Sequence, residues 1–228
     1  GGTFTNNTDP ASIFHGNPGE TYELVWTISN SPCDASKDTV AVTFNRNPSN
    51  AAAGSDQIGS STCGQTTVTL AGNNPSIGTG VWSIVSGTGG SFADSTQFNT
   101  TFSGTAGNTY TLRWTITNSP CTASTDDVDI TFNQNPTTAN AGTDKTGSTT
   151  CGLTTVTLAA NTPTVGTGLW TIASGSGGSF ENDGIATTDF SGTAGETYTL
   201  VWSISNSPCD TSRDTVLVKF NEVPTIAN

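Results

Sequence analysis

The chain repeats itself, and that repetition limits its fold more than any other feature. Cys63 recurs as Cys151, Trp82 as Trp170, Trp114 as Trp202 and Cys121 as Cys209, each time 88 residues later. A gapless alignment of 53–140 with 141–228 gives 53 identities in 88 positions. Residues 1–52 match the last 52 positions of the same unit, with Phe4, Phe14, Tyr22, Trp26, Cys33 and Phe44 falling on Phe92, Phe102, Tyr110, Trp114, Cys121 and Phe132. Self-similarity at a fixed spacing marks one supersecondary unit used several times. The sequence therefore reads as a partial repeat at 1–52, holding later strands only, followed by complete repeats at 53–140 and 141–228.

Within a repeat the apolar period is two. Tyr110, Leu112, Trp114 and Ile116 alternate with Thr109, Thr111, Arg113, Thr115 and Thr117, as in a strand with one wet face. Val128, Ile130 and Phe132 alternate with polar residues in the next strand. Val68 with Leu70, Trp82 with Ile84, and Phe98 to Phe102 mark three more. Gly-Thr-Gly at 78–80, Gly-Thr-Gly-Gly at 87–90 and Asn-Ser-Pro at 118–120 supply the turns. Six or seven short strands per 88 residues predict an all-β chain of sandwich repeats. Trp82, Trp114, Trp170, Trp202, Tyr110 and Tyr198 lie on the apolar phase of their strands, so they are expected in the cores rather than on a sugar-binding platform.

A net charge of −12 with 11% charged residues leaves no basic stripe, which argues against nucleic acid and anionic membrane as partners. No apolar run approaches the ~20 residues that span a bilayer. The five cysteines form no C-x-x-C pair, and the lone histidine, His15, aligns with Ser103 and Ser191. No serine or cysteine therefore has a histidine base beside it in the pattern, and the expectation is that the chain is not an enzyme. Regularly spaced cysteines in an acidic, lysine-poor chain suggest an oxidising, extracellular setting.

Ala-Gly-x-Asp, Thr-Cys-Gly, Thr-Val-Thr-Leu-Ala, Gly-Thr-Gly-x-Trp, Thr-Tyr-Thr-Leu-x-Trp-x-Ile-x-Asn and Asp-x-Val follow one another in each complete repeat. That series resembles the PKD-like and immunoglobulin-like tandem repeats of large surface adhesins of gliding and related Bacteroidota, often exported by type IX secretion. The resemblance runs the length of the chain. It implies an immunoglobulin-like (PKD-like) sandwich, a cell-surface or extracellular location, and no catalytic residues.

In immunoglobulin-like order, Cys63 and Cys151 fall between the first two strands, whereas Cys33, Cys121 and Cys209 follow the penultimate one. Those loops lie at opposite ends of a sandwich. A disulfide needs Cα atoms about 4.4–6.8 Å apart, and seven strand residues already span about 23 Å. A Cys63–Cys121 bond within one repeat would require a bent-back first strand. The other route is an interdomain Cys63–Cys209 bond, leaving Cys33, Cys121 and Cys151 to partners outside 1–228. Such a bond would stiffen the junction between repeats and carry tension past it.

Asp56 and Asp144, in Ala-Gly-x-Asp, and Asp126 and Asp214, near the start of the last strand with Asp38, could serve calcium, the one cofactor such carboxylates suggest. No D-x-D-x-D-G loop is present, and turn capping of nearby main-chain N–H groups is the competing role. Thr39, Ser95 and Thr215 sit in or beside short Asp-Ser/Thr patterns that resemble O-glycosylation sites of the same bacteria, and Asn6 and Asn99 fit the N-glycan sequon. The segments Ala93–Asn99 and Glu181–Thr187 differ most between repeats, so recognition of a glycan or surface would be sought there.

Alone, 1–52 would expose Phe14, Tyr22, Leu24, Trp26, Ile28, Val42 and Phe44, so the expectation is a window on a longer polypeptide whose preceding residues cover that face. The expected function is a disulfide-reinforced stalk or filament segment of an extracellular adhesin. Its partners would be neighbouring repeats, like chains in a filament, or surface glycans. The alternative is an adhesive module binding a ligand or glycan through variable loops.

Overall fold

The computed structural model describes residues 1–225, and every regular element longer than a 3-10 turn is a strand. In chain order these are β1 (Thr3–Phe4), β2 (Phe14–His15), β3 (Thr21–Ile28), β4 (Ser36–Thr43), β5 (Thr67–Thr69), β6 (Thr79–Ser86), β7 (Ser91–Phe92) and β8 (Thr101–Ser103). They continue with β9 (Thr109–Thr117), β10 (Ser124–Thr131), β11 (Thr155–Thr157), β12 (Thr167–Ser174), β13 (Ser179–Phe180), β14 (Asp189–Ser191), β15 (Thr197–Ser205) and β16 (Ser212–Lys219). The series β5 to β10 and β11 to β16 match in order and in strand length. The strand expected over Phe98 to Phe102 is shorter and later. A turn at Asp94–Thr96 and the Thr100 N–H bond to the Gln97 carbonyl hold the chain out of register until Thr101.

By its contacts the chain divides into two compact units, each assembled from several stretches of sequence. The first comprises Gly1–Ser55, Thr69–Phe102 and Thr111–Val128. The second comprises Asp56–Val68, Ser103–Tyr110 and the described chain from Asp129 on.

The second unit shows the sandwich most plainly. One antiparallel sheet has the order β12-β15-β16 and the other β11-β14-β13. β15 forms because its residues alternate: Tyr198, Leu200, Trp202 and Ile204 are fully buried while Thr197 and Ser205 are exposed. Register then follows, since a slip of one residue would turn that whole row outward. Trp170 faces Trp202 across the sheet with ring centroids 5.2 Å apart and stacks on Phe180 of β13 at 6.2 Å. Phe190 of β14 meets Tyr198 edge-on at 5.0 Å, so the aromatic rings bridge the two sheets. Each sealed indole removes about 200 Å² from water, equivalent to about 5 kcal/mol before chain entropy is charged against it. Gly168 lies so close to the Trp202 ring that a Cβ there would overlap it, which explains the small residue in Gly-Thr-Gly-x-Trp.

In the first unit β6 pairs with β9 from Thr79↔Thr117 to Ser86↔Thr111, setting Trp82 opposite Trp114 with centroids 5.0 Å apart. Trp82 is 2% exposed and Trp114 is sealed. β3 pairs with β4 from Thr21↔Thr43 to Ile28↔Ser36, and β1 with β2, as two-stranded sheets. Here the apolar face is only partly covered. Phe14, Tyr22, Leu24, Val42 and Phe44 are half-buried, whereas Trp26 is 39% and Ile28 62% exposed.

One tyrosine feature was not foreseen. The hydroxyls of Tyr22, Tyr110 and Tyr198 each accept from a main-chain N–H five residues upstream, at Asn17, Thr105 and Thr193, over 3.0, 2.9 and 2.9 Å. A buried phenol needs such a partner, and this one pins the turn that leads into the strand.

Candidate functional site

No cluster of three or more His, Cys, Asp or Glu side chains able to hold a metal occurs among the described residues. The chemistry-bearing groups lie in a disulfide joint, in a set of carboxylates on main-chain N–H groups, and in one variable loop.

Cys63 is bonded to Cys209, with Cα atoms 5.6 Å apart and 146 residues of separation. Both belong to the second unit. Of the two routes open in the sequence, the structure takes the long one and leaves Cys121 unpaired. Two local frames present the sulfurs. Cys63 closes a 3-10 turn at Ser60–Thr62, and Gly64 then adopts φ 68°, where its N–H reaches the Asn133 carbonyl at 2.8 Å. Cys209 follows a cis Ser207–Pro208 bond, and its N–H returns to the Asn206 carbonyl at 2.9 Å. The Asn206 side chain donates to the Gln134 carbonyl at 2.7 Å, and in the first unit Asn118 donates to the Arg46 carbonyl at 2.8 Å. Sequence reasoning missed these amide bonds, although the invariant Asn of Asn-Ser-Pro-Cys was visible. Cys33 and Cys151 are exposed thiols and Cys121 is half-buried.

The carboxylates considered for calcium each accept a main-chain hydrogen bond. Asp126 accepts from Ala53 at 2.7 Å, Asp214 from Ala141 at 2.8 Å, Asp56 from Asp129 at 2.9 Å and Asp144 from Leu217 at 2.9 Å. Each bond spans 73 residues, which differs from the local turn caps expected. The reason is topological: the segment entering a repeat runs beside that repeat's last strand, so a short Asp on one reaches the main chain of the other. Only Asp38 bonds locally, to the Thr39 N–H at 2.9 Å.

The variable loop is a constant frame with changing residues. Thr96 donates to Asp94 through its hydroxyl at 2.7 Å and its N–H at 2.9 Å; these bonds, the hydroxyl's first, hold the Asp94 carboxyl below its ordinary value. In the later copy Asn182 accepts from the Gly184 N–H at 3.0 Å. The Ser95 carbonyl accepts from Trp82 N–H, as the Asp183 carbonyl does from Trp170 N–H. Beside the first loop a shallow hollow of about 620 Å³ is lined by residues including Asn74, Pro75, Thr96, Gln97 and Phe98. A larger one of about 830 Å³ opens over β3 and β4, against Phe4, Phe14, Leu24, Trp26, Ile28 and Val40.

Of the glycan candidates, Thr39, Thr215, Asn6 and Asn99 are exposed and Ser95 is half-buried. The Asn6 side-chain oxygen already accepts from the Thr8 hydroxyl and N–H.

No family model matches this sequence, and no curated protein matches it. Among solved structures the chain is similar to the insect immune protein hemolin, at 12% identity and a TM-score of 0.45, covering 87% of this chain and 56% of that one. It is also similar to human CDH23 EC21-23, at 13% identity and a TM-score of 0.40, over 87% and 73% of the two chains. A Ca2+-stabilised adhesin of an Antarctic bacterium matches at 13% identity and a TM-score of 0.31, over 89% and 57%. The chain thus spans little more than half the length of the hemolin structure. No helix among the described residues is long and apolar enough to cross a membrane.

Proposed function

We propose that this chain is a load-bearing stalk segment of an extracellular adhesin, of the PKD-like, Bacteroidota surface type that its motifs resemble. The observation that carries this reading is the Cys63–Cys209 bond, which closes 146 residues into one covalent loop. Tension applied beyond the two sulfurs bypasses everything between them. The 53 identities in 88 positions between the complete repeats support the same reading, because recognition surfaces diverge in their loops. The work is mechanical and needs no catalytic group. It needs no metal either: the four aspartates serve as caps, so the melting temperature is expected to be the same with calcium and with a chelator.

Pulling single molecules by their ends tests the stalk. The oxidised chain should release about 500 Å less contour than the reduced chain, since 146 residues extend to about 3.5 Å each. Equal release would overturn the reading. A second reading, an adhesive module, is favoured by the constant frame under the variable loop. Glycan-array binding that disappears when 93–99 and 181–187 are exchanged would establish it in place of the stalk.

A further inference from the structure

The hollow beside the loop at 93–99 contains one side chain that the fold does not need. The Phe98 carbonyl accepts from the Gly72 N–H at 2.9 Å and from the Trp82 indole N–H at 3.3 Å. In the last repeat the Ala186 carbonyl accepts from the Ala160 N–H at 3.1 Å and from the Trp170 indole N–H at 3.3 Å. The same frame therefore stands with Ala in place of Phe. Phe98 is half-buried, meets no other aromatic ring among the described residues, and lines a space of about 620 Å³. An apolar ring kept partly open where a methyl group suffices is a surface for something else to pack on.

The hollow also holds main-chain groups without partners. In β6 Trp82 stands opposite Trp114 of β9, yet its N–H goes the other way, to the Ser95 carbonyl at 2.8 Å. Alternate residues of an antiparallel strand turn their main-chain groups to the same side, so those of Gly80 also face away from β9. Gly80 is buried and lines the hollow, and its N–H and C=O have no hydrogen-bond partner among the described residues. Such a pair needs a molecule that both donates and accepts. The opening does not come from what precedes the repeat. The last repeat follows a complete one, and Leu169 there is 45% exposed, as Val81 is here.

No charged side chain lines the hollow, in a chain whose net charge is −12. Amides and hydroxyls surround it, at Asn74, Thr79, Thr96 and Gln97. An extended peptide fits poorly, because the Ser95 carbonyl already occupies the Trp82 N–H, the next outward donor along the same edge. A compact molecule with a C–H face and a rim of hydroxyls satisfies both the ring and the polar groups. We propose that the hollow is a subsite for one neutral pyranose residue of a glycan, packed on Phe98 and bonded through its hydroxyls to the Gly80 main chain and the Asn74 amide. The last repeat, with Ala186 and Thr162 at these positions, lacks it. The proposal rests on the adhesive-module reading and deepens it by naming the ligand class and the repeat that takes it.

The test is NMR on the full 228-residue chain with the methyl glycosides of glucose, galactose, mannose and N-acetylglucosamine, and with N-acetylneuraminic acid as the charged control. At millimolar sugar at least one neutral glycoside should shift the Gly80 and Phe98 amide signals, and the acid should not. Phe98→Ala, a change that the frame at Ala186 already accommodates, should weaken binding about tenfold, the worth of one aromatic contact. Asn74→Thr should weaken it by a few fold. No shift with any neutral glycoside overturns the proposal, as does unchanged binding by Phe98→Ala or a preference for the acid. Glycan-array binding that is lost on exchanging 93–99 with 181–187 but kept in Phe98→Ala would sink the subsite and leave the module reading standing. A chain that binds nothing on the array sinks both.

Discussion

Trp26 and Trp202 occupy the same place in two stretches of similar sequence, each facing an aspartate across an antiparallel strand pair: Trp26↔Asp38 and Trp202↔Asp214. Trp202 is fully buried and donates its indole N–H to the Asn161 carbonyl at 3.2 Å, whereas Trp26 is 39% exposed. The strand pairs themselves do not differ enough to explain this. What differs is what surrounds them: β11, β13 and β14 form the sheet over the later pair and β12 extends the pair's own sheet, whereas 1–52 contains no counterpart of β11 or β12. Alternation of apolar and polar residues thus defines an inner face, but a core exists only where a second sheet lies over it.

The largest expected effect that probes this difference is on the tryptophans. Trp202→Ala should cost about 3–5 kcal/mol in urea melting, the range for emptying a sealed aromatic site, while Trp26→Ala should cost about 1 kcal/mol or less. Equal losses would mean that the face over β3 and β4 is covered in solution. Next is Gly168→Ala, where the new Cβ overlaps the Trp202 ring; about 1–3 kcal/mol is expected in the same assay. Asp214→Ala leaves the Ala141 N–H without its partner at a residue 1% exposed, and should cost about 1–3 kcal/mol. Its counterpart Asp38→Ala loses only a local bond and should change stability by a few tenths of a kcal/mol.

The smallest effect concerns a pair that sits at the same position in three stretches. Val25 faces Thr39 and Val201 faces Thr215, but the middle stretch has Arg113 bonded to Asp127 at 2.7 Å. The Arg113 hydrogen bonds hold the Asp127 carboxyl below its ordinary value. A lowered folded value gives a contribution present above the unfolded pKa of about 3.9 and lost as pH falls through the folded one. Replacing the pair by Val and Thr should remove that acid-side dependence, read from melts between neutral and acid pH. At neutral pH it should barely move the midpoint, since the side chains are 42% and 39% exposed.

Much of this fold was legible in the sequence because the strands declare themselves by alternation over eight or nine residues. The rows on β9 and β15, and the six core aromatics named from phase, needed nothing else. The two-residue strands β7 and β13 were illegible, since Ser-Phe carries no period. The aspartates were recognisable as capping residues, but not their partners, because a contact across 73 residues depends on how the entering segment is laid against the last strand. The cysteine pairing narrowed to two routes; the choice depended on where the Thr-Cys-Gly turn lies, which strand patterning does not specify.

That same lay of the entering segment has a mechanical consequence. Lys145 and Cys151 pair in parallel with Val218 and Asn221, and Lys145 bonds main chain to main chain with Leu217 and Lys219. Ala139 and Ala141 add bonds to Ser212 and Asp214 on β16. Once Cys63–Cys209 is reduced and the residues between carry load, a pull that enters at residue 139 and leaves at residue 221 drags these two rows lengthwise in opposite directions. The bonds are then loaded in shear and must fail together, whereas an antiparallel pair pulled from its open end would part rung by rung.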